Sequence, residues 1–148
     1  MVSRRGLLVG TAGTVLSVSL SGCIANMDVV DQYVKGNDAY TAAEETRENG
    51  DLEVAIDHYE RAADHFDTAY ELAENGQART FCYEARELAR LRAEATRNKR
   101  DARSDFEDPN RFLAVPLEEF VDDDDRELMN EYEIRSTAAL ERRTRLPS

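Results

Sequence analysis

The stretch LEVAIDHYERAADHFDTAYELA, residues 52–73, is the clearest structural signal in this 148-residue chain. Its apolar side chains recur every three to four residues, which places them on one face of an α-helix. These residues are Leu52, Ile56, Tyr59, Ala63, Phe66, Tyr70 and Ala73. A second face with the same period is acidic and contains Asp57, Glu60, Asp64, Asp67, Glu71 and Glu74. The stretch therefore predicts an amphipathic helix with one buried face and one hydrated, negatively charged face.

A helix is also predicted before this stretch, ending at Asn49-Gly50-Asp51. Gly50 suits the left-handed conformation that closes a helix, and Asp51 suits the N-cap of the next one. Upstream, one stripe contains Val29, Tyr33, Gly36, Tyr40 and Ala43. Because glycine interrupts helical patterns, Gly36-Asn37 is expected to split or kink this first helix.

A third helix is predicted from about Gln77, after Asn75-Gly76 closes the second. Its inward face contains Ala78, Phe81, Cys82, Ala85, Leu88, Ala89 and Ala95. Its end is rich in arginine, which favours the helix dipole and could also face the acidic second helix. Short loops between the helices predict antiparallel neighbours in an up-down bundle.

The C-terminal third of the chain is predicted to begin with a linker, residues 104–116, which is rich in turn formers and contains Pro116. Asp122-Asp123-Asp124-Asp125 lacks the alternating ligands and central glycine of a calcium loop. Asp124 or Asp125 is instead expected to cap one final helix. The apolar residues of that helix are Leu128, Met129, Tyr132, Ala139 and Leu140.

The N-terminus has the organisation of a cleaved export signal. Arg4-Arg5 precedes a weakly apolar run over residues 7–20, which is too short for a membrane span of about 20 residues. The run closes with Leu20-Ser21-Gly22-Cys23, where small residues precede a cysteine.

These residues resemble the twin-arginine signal peptide and lipobox of exported lipoproteins, over residues 1–23. The export signal comprises Arg4, Arg5, Leu7 and Leu8, and the lipobox residues before the cysteine are Leu20, Ser21 and Gly22. The resemblance implies cleavage before Cys23, which then becomes the N-terminal residue and carries a covalent lipid. No cofactor is expected besides this lipid. Localisation at the cell membrane, lipid-anchored on the extracytoplasmic face, is the expected result.

The predicted fold class is therefore all-α, an antiparallel helical hairpin or bundle of three to four helices after a cleaved signal peptide. Residues 1–22 are the signal peptide, and 23–103 are the lipid-anchored N-terminus and three-helix segment. Residues 104–116 are the linker, and 117–148 form a C-terminal helical segment. Whether residues 104–148 pack on the bundle is open at the level of sequence.

Residues 37–66 resemble the turn and second helix of a tetratricopeptide repeat, through Gly50-Asp51-Leu52, Ala55-Ile56, Tyr59 and Ala62. No second copy follows at the spacing of about 34 residues that such repeats require. The resemblance implies a single helical hairpin with repeat-like packing, and hence a protein-interaction role.

The composition is strongly acidic, with 31 Asp and Glu against 19 Lys and Arg and a net charge of −12. Only Lys35 and Lys99 are lysines. Acidity together with lysine scarcity resembles the proteins of extreme halophiles (haloarchaea), while an acidic protein from a GC-rich genome is the simpler alternative. The negative charge disfavours binding to nucleic acid.

No residue pattern indicates catalysis, a cofactor or a metal site. His58 and His65 are separated by two helical turns, about 10 Å, which is too far to share one metal ion. Cys82 is expected to be a small buried hydrophobe. The tyrosines on the apolar stripes are expected in the core. The chain is therefore predicted not to be an enzyme.

The expected function is a membrane-anchored, extracytoplasmic helical lipoprotein that acts as a protein-interaction or scaffold module. Its protein partner and oligomeric state are unknown. The alternative is an accessory lipoprotein subunit that collects cations or a small ligand for a transporter or redox complex. A purely structural role in the envelope is a third hypothesis.

Overall fold

The computed structural model describes the backbone of residues 14–145 and the side chains of residues 27–144. The described chain is all-helical, which confirms the predicted fold class. Its α-helices are α1 Thr14–Glu48, α2 Leu52–Leu72, α3 Gly76–Asp101, α4 Pro109–Ala114, α5 Asp123–Glu131 and α6 Thr137–Arg145. Short 3₁₀ helices cover Arg103–Asp105 and Leu117–Phe120.

The residues of the predicted export signal, Arg4, Arg5, Leu7 and Leu8, lie outside the described residues. Only the backbone is described for Leu20, Ser21, Gly22 and Cys23, within α1. Among the described residues, no helix combines the length and apolar character needed to cross a bilayer. The signal peptide and lipobox therefore stay predictions.

The first helix is continuous through Gly36, so the predicted split at Gly36-Asn37 is wrong. Glycine is needed there because α1 and α2 approach each other closely. A Cβ atom at position 36 would lie 2.7 Å from two ring carbons of Phe66, whose side chain is fully buried. The glycine therefore serves the contact between helices, although it weakens an isolated helix by about 1 kcal/mol relative to alanine.

The turn between α1 and α2 has the predicted chemistry. Gly50 has a φ of 90°, in the left-handed region that favours glycine. The Asp51 side chain accepts a hydrogen bond from the backbone N–H of Val54 at 3.3 Å and caps α2. At the next turn α2 already ends at Leu72, and Asn75 caps α3 by accepting from the N–H of Gln77 at 2.8 Å. The helices are thus joined by short, capped connections.

The arginines of α3 face the acidic side of α2, as the sequence suggested. Three ion pairs join the helices: Arg86 with Asp67 at 2.7 Å, Arg97 with Glu60 at 3.0 Å, and Arg100 with Glu53 at 2.8 Å. Their order reverses along the two helices, which is the antiparallel arrangement. The pairs of Arg97 and Arg100 are solvent-exposed, and such pairs contribute only about 0–1 kcal/mol each, so they set register more than stability.

The three long helices pack through alanine. The fully buried alanines on facing surfaces include Ala43, Ala55, Ala62, Ala69, Ala78, Ala85, Ala89 and Ala95. Between them, Tyr33 and Phe66 contact each other with ring centroids 5.1 Å apart. Small residues let the helix axes approach, and the few large rings fill the remaining volume.

The C-terminal third packs on α1 and α3: the 3₁₀ helix Leu117–Phe120 and α5 contact α3, and α6 contacts both α1 and α3. Phe112 of α4, Leu117, Met129 of α5 and Leu140 of α6 are all buried. Residues 104–116, predicted as a linker, contain the 3₁₀ helix Arg103–Asp105 in part and the whole of α4. Within the described residues, the segment after residue 104 therefore packs on the bundle.

The single final helix predicted after the aspartate run is wrong, because the chain forms α5 and α6 with a non-helical connection at residues 132–136. Tyr33 donates a hydrogen bond to the carbonyl of Arg135 at 2.6 Å, which holds this connection against α1. Ser136 caps α6 by accepting from the N–H of Ala139 at 3.1 Å. Asp122, rather than Asp124 or Asp125, caps α5.

Lys99 joins α3 to the C-terminal third. Its side chain is only 2% exposed, and its ammonium donates hydrogen bonds to the carbonyls of Leu113 at 3.1 Å and Val115 at 2.8 Å. The same ammonium lies over the ring of Phe112, 5.4 Å from its centroid. Lys99 therefore anchors the segment that follows α4.

The change Lys99→Met is expected to lower the free energy of unfolding by about 2–3 kcal/mol, because two carbonyls lose a charged donor. Urea unfolding followed by circular dichroism measures this loss. The matched control is Lys35→Met, since Lys35 is exposed and, among the described residues, forms an ion pair only with Asp31 at 3.2 Å. Its effect is expected within about 0.5 kcal/mol. Equal effects at both lysines would contradict the anchoring role.

Candidate functional site

A cleft of about 470 Å³ lies between the C-terminal half of α1 and the end of α5, with α3 as its floor. The residues from α1 are Asn37, Tyr40, Thr41, Glu44, Glu45 and Glu48; the others are Leu88, Arg92, Met129, Tyr132, Glu133 and Ile134. The α1 residues recur every three to four positions, so they form one face of that helix. The end of α5 at Tyr132 leaves room for the cleft beside this face.

A network of charged and phenolic groups links the floor of the cleft to α2. One carboxylate oxygen of Glu44 accepts hydrogen bonds from Arg47 and Arg92, both at 3.3 Å, and a short one from the hydroxyl of Tyr59. Arg47 also donates to the Tyr59 hydroxyl at 3.0 Å. One carboxylate is thereby the shared ion-pair partner of two partly buried guanidinium groups.

The tyrosines of this region are neutral at physiological pH. Burial, reinforced by the Glu44 carboxylate, raises the pKa of Tyr59 to about 12. Burial also raises the pKa of Tyr40. The Tyr59 hydroxyl therefore keeps its proton and acts as a hydrogen-bond donor to Glu44.

Carboxylates dominate the rim of the cleft. Glu45 and Glu48 are exposed, and no basic side chain within residues 27–144 lies at ion-pair distance from either. Glu133 pairs with Arg135 at 3.1 Å and is 62% exposed. Glu45 and Glu48 also lie near the C-terminus of α1, where negative charge opposes the helix dipole. Helix stability therefore does not account for their position.

The walls of the cleft are partly apolar. Leu88 and Met129 are buried, and Tyr40, Tyr132 and Ile134 are half-buried. Tyr40 packs edge-to-face on Tyr59, with ring centroids 5.6 Å apart. These side chains offer an aliphatic or aromatic group a surface on which to pack, in the same cleft as the carboxylates.

Several N–H donors of Arg92 have no hydrogen-bond acceptor among the described residues. Its only acceptor among the described residues is Glu44, and its Nε atom is buried without a partner. The Nε atom has almost no accessible surface, so a bound group can reach Arg92 only through its terminal nitrogens.

The other residues that the sequence singled out lie elsewhere. Cys82 is buried, and burial raises the pKa of its thiol to about 12, so it is unreactive at neutral pH. His58 lies near Arg61, with 3.2 Å between their side-chain nitrogens, and His65 contacts Gln32 at 2.9 Å. Residues 27–144 contain no group of three or more side chains suited to hold a metal ion.

Sequence reasoning missed the cleft, because Glu44 and Arg92 are 48 positions apart and lie on different helices. A signal was present in the acidic end of α1, which opposes the helix dipole. The described lining contains no cysteine or histidine, and its carboxylates, guanidinium and apolar walls suit binding. Comparison with protein-family models, with curated protein sequences and with solved structures found no match to this chain.

Proposed function

We propose that the chain is a membrane-anchored, extracytoplasmic helical lipoprotein that acts as a protein-interaction or scaffold module and is not an enzyme. The observation that carries the interaction role is the cleft between α1 and α5, with its acidic rim and partly apolar walls. The motif Leu20-Ser21-Gly22-Cys23 supports the lipid anchor. Two lipid chains are needed to hold a protein firmly, and a lipobox cysteine carries such a group.

The course of α1 gives the proposal a defined geometry. Val29 is buried and lies six positions after Cys23, so the anchor would hold this end of the bundle about 9 Å from the lipid attachment. Glu45 lies 22 positions after Cys23 along the same helix, or about 33 Å. The cleft would thus stand well clear of the bilayer surface, where another protein can reach it.

Fractionation of the Cys23→Ser protein tests the anchor. The variant is expected to leave the membrane fraction, whereas the matched control Cys82→Ser is expected to stay in it, because Cys82 is buried in the bundle. Metabolic lipid labelling should be lost in the first variant alone. A Cys23→Ser protein that remains as membrane-bound as the parent would overturn the anchor.

A pull-down from gently solubilised membranes tests the scaffold role. Failure to recover a reproducible partner would count against that role.

The second candidate is an accessory subunit that collects cations or a small ligand for a transporter or redox complex. The carboxylates of Glu45 and Glu48, which have no ion-pair partner within residues 27–144, favour it. Calorimetric titration with Ca²⁺, Mn²⁺ and Zn²⁺ tests it directly. Saturable binding that is lost in the double variant Glu45→Gln/Glu48→Gln would support this candidate, and heats without saturation would exclude these ions.

A further inference from the structure

We propose that the cleft between α1 and α5 binds a segment of a partner protein through an arginine or lysine side chain, whose charged group is held by Glu45, Glu48 and Glu133. The inference rests on the proposed interaction role and names the chemistry of the partner. Four carboxylates and one guanidinium line the cleft, so its charge favours a cationic occupant.

The apolar walls of the cleft favour a basic side chain over a bare metal ion as the occupant. Arginine and lysine have long aliphatic stems that pack on apolar surface while the charged end reaches a polar rim. Leu88, Met129 and Ile134 line the same cleft as the carboxylates and provide such a surface. A metal ion would leave these apolar contacts unused, whereas a basic side chain uses both the walls and the rim.

Arg92 favours a peptide segment over a free organic cation as the occupant of the cleft. Its guanidinium has five N–H donors and makes one hydrogen bond among the described residues, to Glu44. A bound peptide brings carbonyl oxygens that can accept from the terminal N–H groups of Arg92, whereas a simple amine brings only further donors. The position of the cleft about 33 Å along α1 from Cys23 also favours a protein over a lipid headgroup.

Fluorescence anisotropy with a short labelled peptide tests the proposal. The probe contains two arginines among alanines, and its neutral control has citrulline in place of arginine. The full-length chain is used in detergent, and circular dichroism shows that each variant is folded. We expect saturable binding of the arginine peptide, weakened about tenfold in Glu45→Gln/Glu48→Gln, because two ion pairs are lost.

The matched control is Glu71→Gln/Glu74→Gln, which makes the same charge change at two exposed positions. Glu71 lies in the last turn of α2, and Glu74 lies just beyond it. It is expected to weaken binding less than about twofold. Equal weakening in both double variants would overturn the proposal, because attraction would then depend on net charge alone. Equal binding of the citrulline peptide, or stoichiometric displacement of the arginine peptide by Ca²⁺, would also overturn it.

The binding test and the fractionation test fail independently. Loss of the anchor in the Cys23→Ser experiment leaves peptide binding by the cleft unaffected, since Cys23 lies far from Glu45 along α1. Absence of peptide binding would reject the basic partner segment and would leave the lipid anchor untouched. If a double variant does not fold, the single changes Glu45→Gln and Glu48→Gln provide the same comparison.

Discussion

The change Glu44→Gln is expected to lower the free energy of unfolding by about 2–4 kcal/mol, the largest effect of any single charge in the described structure. The Glu44 carboxylate is the shared partner of Arg47 and Arg92, whose side chains are only 17% and 19% exposed. Without it, two guanidinium groups remain close together with little solvent to screen them. The Tyr59 hydroxyl also loses a charged acceptor.

Urea unfolding of the two variants Glu44→Gln and Glu45→Gln measures this effect with a matched control. Glu45 is the next residue of α1 but is exposed, so its change is expected within about 0.5 kcal/mol. The double variant Glu44→Gln/Arg92→Met is expected to lose less than the sum of the single losses, because one uncompensated charge is removed. Similar losses at Glu44 and Glu45 would show that the network contributes no more than an exposed carboxylate.

The second large effect is expected at the contact between α1 and α2. The change Gly36→Val should lower the free energy of unfolding by about 2–3 kcal/mol, because the added atoms overlap the ring of Phe66. The ring is fully buried and cannot move without displacing its neighbours. A gain of a few tenths of a kcal/mol in helix propensity offsets only a small part of this cost.

The matched control is Gly76→Ala, where an added Cβ would have no atom within 4 Å. Stability there should be unchanged or higher by up to about 1 kcal/mol, since alanine restricts the unfolded chain. Combining Gly36→Ala with Phe66→Leu should cost less than the sum of the separate changes, because the smaller side chain makes room. A Gly36→Val protein as stable as the parent would contradict the close contact.

The outcome at Gly36 shows where prediction from sequence stops. A glycine inside a helical pattern indicates that the helix is locally weak, and the sequence pattern therefore predicts a split or kink. The helix continues through this point, and a residue on another helix, Phe66, occupies the space of the missing side chain. The same limit applies at residues 132–136, where the hydrogen bond from Tyr33 helps to separate α5 from α6.

The features that depend on near neighbours in the chain could be predicted from the amino-acid sequence. The apolar period of residues 52–73, the caps at Asp51 and the left-handed Gly50 all involve residues within one or two helical turns. The same local reading supplies the lipobox prediction at Cys23, which the fractionation experiment tests. It also predicted that the arginines of α3 would face the acidic side of α2.

Contacts between residues far apart in the chain could not be predicted, because they depend on how the helices pack. The cleft requires α1, α3 and the end of α5 together, and its central pair, Glu44 and Arg92, is 48 positions apart. The fit of Gly36 against Phe66 likewise depends on the register of two helices. Helical period and capping are encoded within a few residues, whereas a binding surface depends on the packing of whole helices, which local patterns do not specify.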